Sequence, residues 1–283
     1  MKGNKLSEIR KNDLRVPSTP LPDIQLVVCD LDGTLLTTDK YLDDQIIEVN
    51  KHKKYRFTIA SGRSAILVKS YIEQLQLQLP YITNNGAELF DKDQKCIQSY
   101  TITSKELSVI VQLVHEMKIE CYACSDQMIY TIGEANVIKP LRDRFVGKLT
   151  IIESAALEQI CMDSIHKLVC MHQNLTTMED FARQVNTLCT GSICIRSEGN
   201  AFNIVNRQAS KGKTLLDLMS LLNIQKEHVL VFGDNYNDLS MFQEAGYSVA
   251  MENADREVKD KAAFITRGND QNGVSYFLKH FVE

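Results

Sequence analysis

Four short apolar runs in this chain each stop abruptly at a knot of polar residues, and this recurrence narrows the fold more than any other feature. Ile24 to Cys29 is nearly continuous, with adjacent valines, and ends at Asp30-Leu31-Asp32-Gly33-Thr34. Tyr55 to Ala60 ends at Ser61-Gly62-Arg63, and Pro80 to Thr83 ends at Asn84-Asn85-Gly86. Far downstream, Val229 to Phe232 ends at Gly233-Asp234-Asn235-Tyr236-Asn237-Asp238. Short runs without polar alternation suit strands covered on both faces, as in a parallel sheet. Helical spacing follows over Leu42 to Lys51 and Ile66 to Leu77, and again over Lys211 to Leu222. Tyr247 to Met251 and Ala263 to Thr266 read as further short strands. The order strand, polar loop, helix predicts βα units and an α/β fold with a doubly wound parallel sheet. Ligands of such sheets sit beyond the carboxyl ends of the strands, where the polar knots fall.

The middle of the chain has a different character. Strand-like segments occur at Cys96 to Ile102, Glu120 to Tyr130, Ile165 to Met171 and Ser192 to Ser197, with helical spacing over Ser104 to Met117 and Thr176 to Leu188. Acidic knots like those of the flanks are missing there. We read residues 87–199 as an inserted α/β domain, 23–86 with 200–283 as the sheet core, and 1–22 as a flexible or loosely docked polar extension whose end is punctuated by Pro17, Pro20 and Pro22.

Composition removes several classes of function. A formal net charge of -4 lacks the basic face that counterion release on nucleic acid requires. No apolar run is long enough to span a bilayer, and the N-terminal segment lacks the apolar core of a secretory signal. The expectation is a cytoplasmic protein with neither a membrane nor a nucleic-acid partner. The eight cysteines lie mostly in apolar segments, which does not resemble a disulfide scaffold. Cys121 and Cys124 form a CxxC without a second metal-binding pair nearby, so we read them as two buried thiols near a strand.

Asp30 and Asp32 place two carboxylates after an otherwise apolar strand, with Gly33 allowing a sharp turn. Like charges so close need a compensating cation, and a hard divalent ion that also binds phosphate is the economical one. The plainer alternative is a solvated, capped turn. Asp234 and Asp238 repeat the pattern after a second apolar strand. Together the two pairs offer the oxygen ligands of a magnesium site. Ser61-Gly62 supplies a hydroxyl and amides at a predicted helix start, which suits an anion or a cap equally. Lys211 opens a helix, where its charge opposes the dipole, so neutralising a phosphoryl oxygen would give it a reason to be there.

These clusters, in this order, resemble the four motifs of the haloacid dehalogenase superfamily: DLDGT at Asp30 to Thr34, ASGR at Ala60 to Arg63, SKG at Ser210 to Gly212 and GDNYND at Gly233 to Asp238. Asn84-Asn85-Gly86-Ala87, Ala250-Met251-Glu252-Asn253-Ala254 and Gly273-Val274 resemble elements of its Cof-type subfamily, which carries a type IIB α/β cap. The resemblance covers roughly residues 24–281 and is weak within the cap. It implies a Rossmann-like core with an inserted cap domain. It implies a phosphomonoester hydrolase in which Asp30 is the nucleophile and Asp32 the general acid and base. It implies Mg2+ held by Asp30, Asp32 (through its backbone carbonyl), Asp234 and Asp238. Leu31, Ser61, Gly62, Lys211 and Asn237 would hold the phosphoryl oxygens, and Arg63 would make a structural ion pair. The implied partner is a small phosphorylated metabolite, such as a sugar phosphate or a phosphorylated cofactor. Cap residues that could face it are Tyr122, Asp126, Tyr130, His166, Arg196 and Asn200. The alternatives are a phosphomannomutase-like phosphotransferase and a non-catalytic phosphometabolite sensor. A sensor would be expected to have lost Asp30, Asp32 or Lys211, and all three are present.

Overall fold

The structure is a computed structural model, and it describes residues 14–51, 54–125, 128–133, 150–196 and 200–282. The strands, in chain order, are β1 (Leu26–Cys29), β2 (Arg56–Ile59), β3 (Tyr81–Thr83), β4 (Glu88–Phe90), β5 (Cys96–Ser99), β6 (Glu120–Cys124), β7 (Met128–Ile132), β8 (Thr150–Ile152), β9 (Lys167–Met171), β10 (Ser192–Arg196), β11 (Ala201–Asn206), β12 (Val229–Gly233), β13 (Tyr247–Met251) and β14 (Phe264–Thr266). The chain divides into two compact units, Met1–Ala60 with Met219–Glu283, and Ser61–Leu218.

The first unit is built on a five-stranded sheet in the order β14-β13-β12-β1-β2. Every pairing in it is parallel. The central strands β1 and β12 are buried along their whole length, which is why they carry no polar alternation. Removing each large aliphatic side chain there from water contributes about 1.5–3 kcal/mol. The helix Gly273–Phe281 adds aromatic packing, with the Phe277 ring edge-on to Phe232 at 5.5 Å. The described part of the N-terminal segment is bound to this unit. Arg15 pairs with Ile265 on the edge strand β14, and its guanidinium caps the carbonyls of Ala263 and Lys259 at 3.0 and 2.8 Å. Leu21 is buried, and its N–H donates to Phe281 O at 2.7 Å. Both contacts cover what would be an open sheet edge or helix end.

The second unit contains a six-stranded sheet, β10-β11-β9-β6-β7-β8, and a three-stranded one, β3-β4-β5. The six-stranded sheet is antiparallel except for β7 with β8. Helices Ser104–Glu116 and Leu175–Leu188 bury Leu107, Ile110, Val114, Met178, Phe181 and Val185 in the same core cluster as the strand residues Leu168, Cys170 and Ile204. Asn174 caps the later helix by accepting from Thr176 N at 2.8 Å.

Two details differ from the sequence reading. The strand expected over Glu120 to Tyr130 is a hairpin, with Cys124 opposite Ile129 and Ser125 N donating to Met128 O at 2.9 Å. The polar tripeptide Ser125-Asp126-Gln127 was the turn signal in this segment that the strand reading passed over. Ala201–Asn206 forms β11, which lies between β10 and β9 and begins just past the expected boundary at 200. Its asparagines at 203 and 206 obscured the strand pattern. No helix among the described residues is long and apolar enough to cross a membrane.

Candidate active site

In the first unit, β1 and β12 run in register with Cys29 opposite Phe232, and Asp30 N donates to Phe232 O at 3.0 Å. The two acidic loops therefore leave the sheet side by side. Carboxylate oxygens of Asp30, Asp234 and Asp238 lie within 4.8 Å of one another. Asp30 and Asp238 are buried and Asp234 is half-buried. Glycine makes this approach possible. Gly33 has φ +79°, and a Cβ there would stand 2.2 Å from Asp234 Oδ2. At Gly233 a Cβ would stand 2.4 Å from that of Asp238.

Hydrogen bonds then set the side chains. Thr34 Oγ1 donates to Asp234 Oδ1 at 3.0 Å. The N–H groups of Asp234 and Asn235 donate to Asp238 Oδ2 at 2.9 and 3.0 Å. Asn253 Nδ2 donates to Gly33 O at 2.8 Å, while its Oδ1 accepts from Asn269 N at 3.1 Å. Leu31 is buried, and its carbonyl accepts from Leu36 N at 2.8 Å. Asn237 is half-buried in the short turn Tyr236–Asp238. The Asp32 carboxylate does not join the trio; its Oδ1 lies 2.8 Å from Lys40 Nζ.

The electrostatics are those of a concentrated negative site. Burial pushes the Cys29 thiol well up, and the charges of Asp30 and Asp43 push it further, so the thiol is neutral. Three carboxylates at this spacing repel one another unless a cation or a proton intervenes. A donor set made only of carboxylate oxygens fits a hard divalent cation. Asp30, Asp234 and Asp238 could hold one.

The second unit gathers the remaining motif residues around Asn84-Asn85-Gly86. Ser61 is fully buried, its Oγ accepts from Arg63 N at 3.1 Å, and its carbonyl accepts from Asn85 N at 3.0 Å. A Cβ on Gly62 would meet Asn85 Oδ1 at 2.8 Å. Gly86, at φ +91°, presses against the next motif, where a Cβ would stand 2.2 Å from the Ser210 carbonyl and 2.7 Å from Lys211 N. Thr214 Oγ1 completes the clamp by donating to Gly86 O at 2.7 Å. Lys211 opens the helix Lys211–Leu222 and is fully buried. Lys167 Nζ donates to Gly62 O at 3.3 Å, a cation that no motif announced. The Arg63 guanidinium lies over the Tyr71 ring at 5.3 Å.

The cap candidates have various fates. His166 is buried, with Nε2 at 3.3 Å from Glu88 Oε1, and Glu88 Oε2 accepts from Thr83 Oγ1 at 3.1 Å. Tyr130 is buried with its hydroxyl donating to Asp163 at 3.0 Å; burial foremost, then that carboxylate, raises its pKa. Tyr122 is half-buried on β6, Arg196 is exposed at the end of β10, and exposed Asn200 donates to Gln173 O at 3.0 Å. Asp126 lies outside the described residues. Cys121 is buried with Sγ 3.4 Å from Cys170 Sγ, whereas Cys124, three residues on, is half-buried. Lys40 and Lys167 escaped the sequence reading because neither belongs to a motif. Asn253 was visible as part of Ala250 to Ala254, though without its role as a brace.

The fold is α/β, and its carboxylates converge at the carboxyl edge of a parallel sheet, where folds of this class bind their ligands. A profile of the haloacid dehalogenase-like hydrolase family matches residues 27–278, and the chain belongs to that family. It is 27% identical to the 5-amino-6-(5-phospho-D-ribitylamino)uracil phosphatase YwtE of Bacillus subtilis, covering 90% of this chain and 97% of the relative. It is 28% identical to the pyridoxal phosphate phosphatase YbhA of Escherichia coli, again over 90% and 97%. Among solved structures it resembles TM0651 from Thermotoga maritima, with a TM-score of 0.79, 27% identity and coverage of 90% and 97%.

Proposed function

We propose that this chain is a magnesium-dependent phosphomonoesterase that hydrolyses small phosphorylated metabolites through an aspartyl-phosphate on Asp30. The observation that carries the reading is the convergence of Asp30, Asp234 and Asp238 within 4.8 Å at the ends of adjacent parallel strands. The named relatives support the substrate class, because YwtE and YbhA are both phosphatases of small phosphorylated compounds.

In the reaction, an Asp30 carboxylate oxygen attacks phosphorus in line. The new O–P bond forms as the bond from phosphorus to the ester oxygen breaks. The departing oxygen keeps its electron pair and takes a proton from the Asp32 carboxyl. Asp32, now a carboxylate, then takes a proton from water as the water oxygen attacks phosphorus of the aspartyl-phosphate. Asp30 leaves as a carboxylate and inorganic phosphate is released. Ser61, Gly62, Lys211, Asn237 and the Leu31 amide hold the phosphoryl oxygens, matching developing negative charge with donors and a cation. Asp30, Asp234, Asp238 and the Asp32 carbonyl would hold magnesium, which would supply charge neutralisation at the site. Residues 87–199, together with β11 of the same sheet, serve as the cap that selects the substrate.

The test is hydrolysis of p-nitrophenyl phosphate with magnesium and after chelation. Activity should need the metal and fall to background in Asp30→Asn. Beryllofluoride should compete with phosphate. Full activity in Asp30→Asn would end the nucleophile assignment.

A further inference from the structure

We propose that Lys40 is a positioning residue that sets the orientation of the Asp32 carboxylate for proton delivery to the leaving group. The inference rests on the reading of Asp32 as acid and base given above. Lys40 Nζ lies 2.8 Å from Asp32 Oδ1, and the two side chains are 45% and 36% exposed. An ion pair at such exposure adds little to stability. The chain is nevertheless shaped to make it. Lys40 itself adopts φ +67°, a left-handed backbone that a lysine rarely takes. Its N–H donates to Thr37 O at 2.9 Å, and Thr37 N donates to Tyr41 O at 2.8 Å, which folds residues 37–41 into a tight hairpin.

That hairpin springs from the catalytic loop and returns to it. Leu36 bridges Asp32 on one side and Leu42 on the other. The far face is pinned as well. Thr38 N and Thr38 Oγ1 both donate to the Asp270 carboxylate at 2.7 Å, and Asn269 Nδ2 donates to Leu36 O at 2.9 Å. A hairpin held in this way aims its one lysine at a carboxylate two residues from the nucleophile. A positioned general acid matters in proportion to how badly the leaving oxygen needs its proton. The substrate should therefore report on Lys40.

The experiment measures kcat/KM of the full chain with magnesium on p-nitrophenyl phosphate and on benzyl phosphate. The nitrophenolate leaves without a proton, whereas the benzyl alkoxide needs one. Lys40→Met should lower kcat/KM for benzyl phosphate by about ten- to a hundredfold, a part of the whole effect of general acid catalysis, and for p-nitrophenyl phosphate by less than about threefold. Lys40→Arg should recover most of the benzyl activity, because it restores the cation at nearly the same reach. Equal losses on both substrates, or no loss on either, would overturn the proposal. Lys40→Gln repeats the measurement should the methionine variant prove unstable. Asp30→Asn and Asp32→Asn run in parallel. If Asp32→Asn shows the leaving-group-dependent loss and Lys40→Met does not, the Lys40 inference alone fails. If Asp30→Asn stays active, the underlying phosphatase reading fails first.

Discussion

The two units assemble their polar residues by different means. In the first, a parallel sheet does the gathering: strands adjacent in space and distant in sequence release acidic loops at the same edge, and Thr34 bonds Asp234 across 200 residues of chain. In the second, backbone contact does it. Gly62 and Gly86 let three loops lie against one another, with Asn85 against the first and Ser210 and Lys211 against the second. One region concentrates carboxylates, and the other presents amides, a hydroxyl and a buried lysine. The contrast teaches that the acidic cluster and the lysine-bearing cluster have separate structural supports, so they should fail separately.

The largest expected effect comes from the lysine. Lys211→Met should lower kcat/KM by about 100- to 1000-fold, while Mn2+ affinity, followed by electron paramagnetic resonance, stays unchanged. A parallel loss of Mn2+ affinity would break the separation. Next is Gly86→Ala, which combines a left-handed backbone with a Cβ driven into the Ser210 carbonyl. It should destabilise the protein by about 3 kcal/mol in urea unfolding, the sum of strain and overpacking. An unchanged unfolding curve would refute the close-approach argument.

Asn253→Ala sharpens the other side of the contrast. It removes the bonds to Gly33 O and from Asn269 N, and should cost about 1–2 kcal/mol. Because Gly33 abuts Asp234, Mn2+ binding should weaken too, while vanadate inhibition at saturating metal persists. The smallest effect is electrostatic and pH-dependent. The N–H and then the hydroxyl of Thr38 hold the Asp270 carboxyl below its usual range. A depressed folded-state pKa gives stability that is present above the unfolded value and is lost as pH falls through the folded one. The stability gap between the wild type and Asp270→Asn should thus be full near neutrality and close below about pH 4. A gap that widens on acidification would show that another interaction supports the hairpin.

Local pattern carried much of this structure. The apolar runs Ile24 to Cys29 and Val229 to Phe232 became the buried strands Leu26–Cys29 and Val229–Gly233, because continuous burial leaves no room for polar alternation. The helix expected over Lys211 to Leu222 has those bounds. Where a turn is short or a strand carries polar residues, pattern fails: the hairpin of β6 and β7 reads as a single strand, and β11 hides behind its asparagines. Among the polar residues, Asp30, Asp234 and Asp238 were legible from chemistry and spacing. Lys40 and Lys167 were not, because a lysine in a turn or on a strand looks solvated until its neighbour is known.

By itself the sequence determined which strands are buried and which loops carry charge, since these follow from hydrophobicity within a few residues. Tertiary structure alone decided that the Asp32 carboxylate stays out of the Asp30, Asp234 and Asp238 cluster, that Gly86 abuts Ser210, and that Lys40 turns back onto Asp32. Strand order and loop-on-loop contact are products of folding the whole chain, and residues far apart in sequence have no local signal for the distance between them.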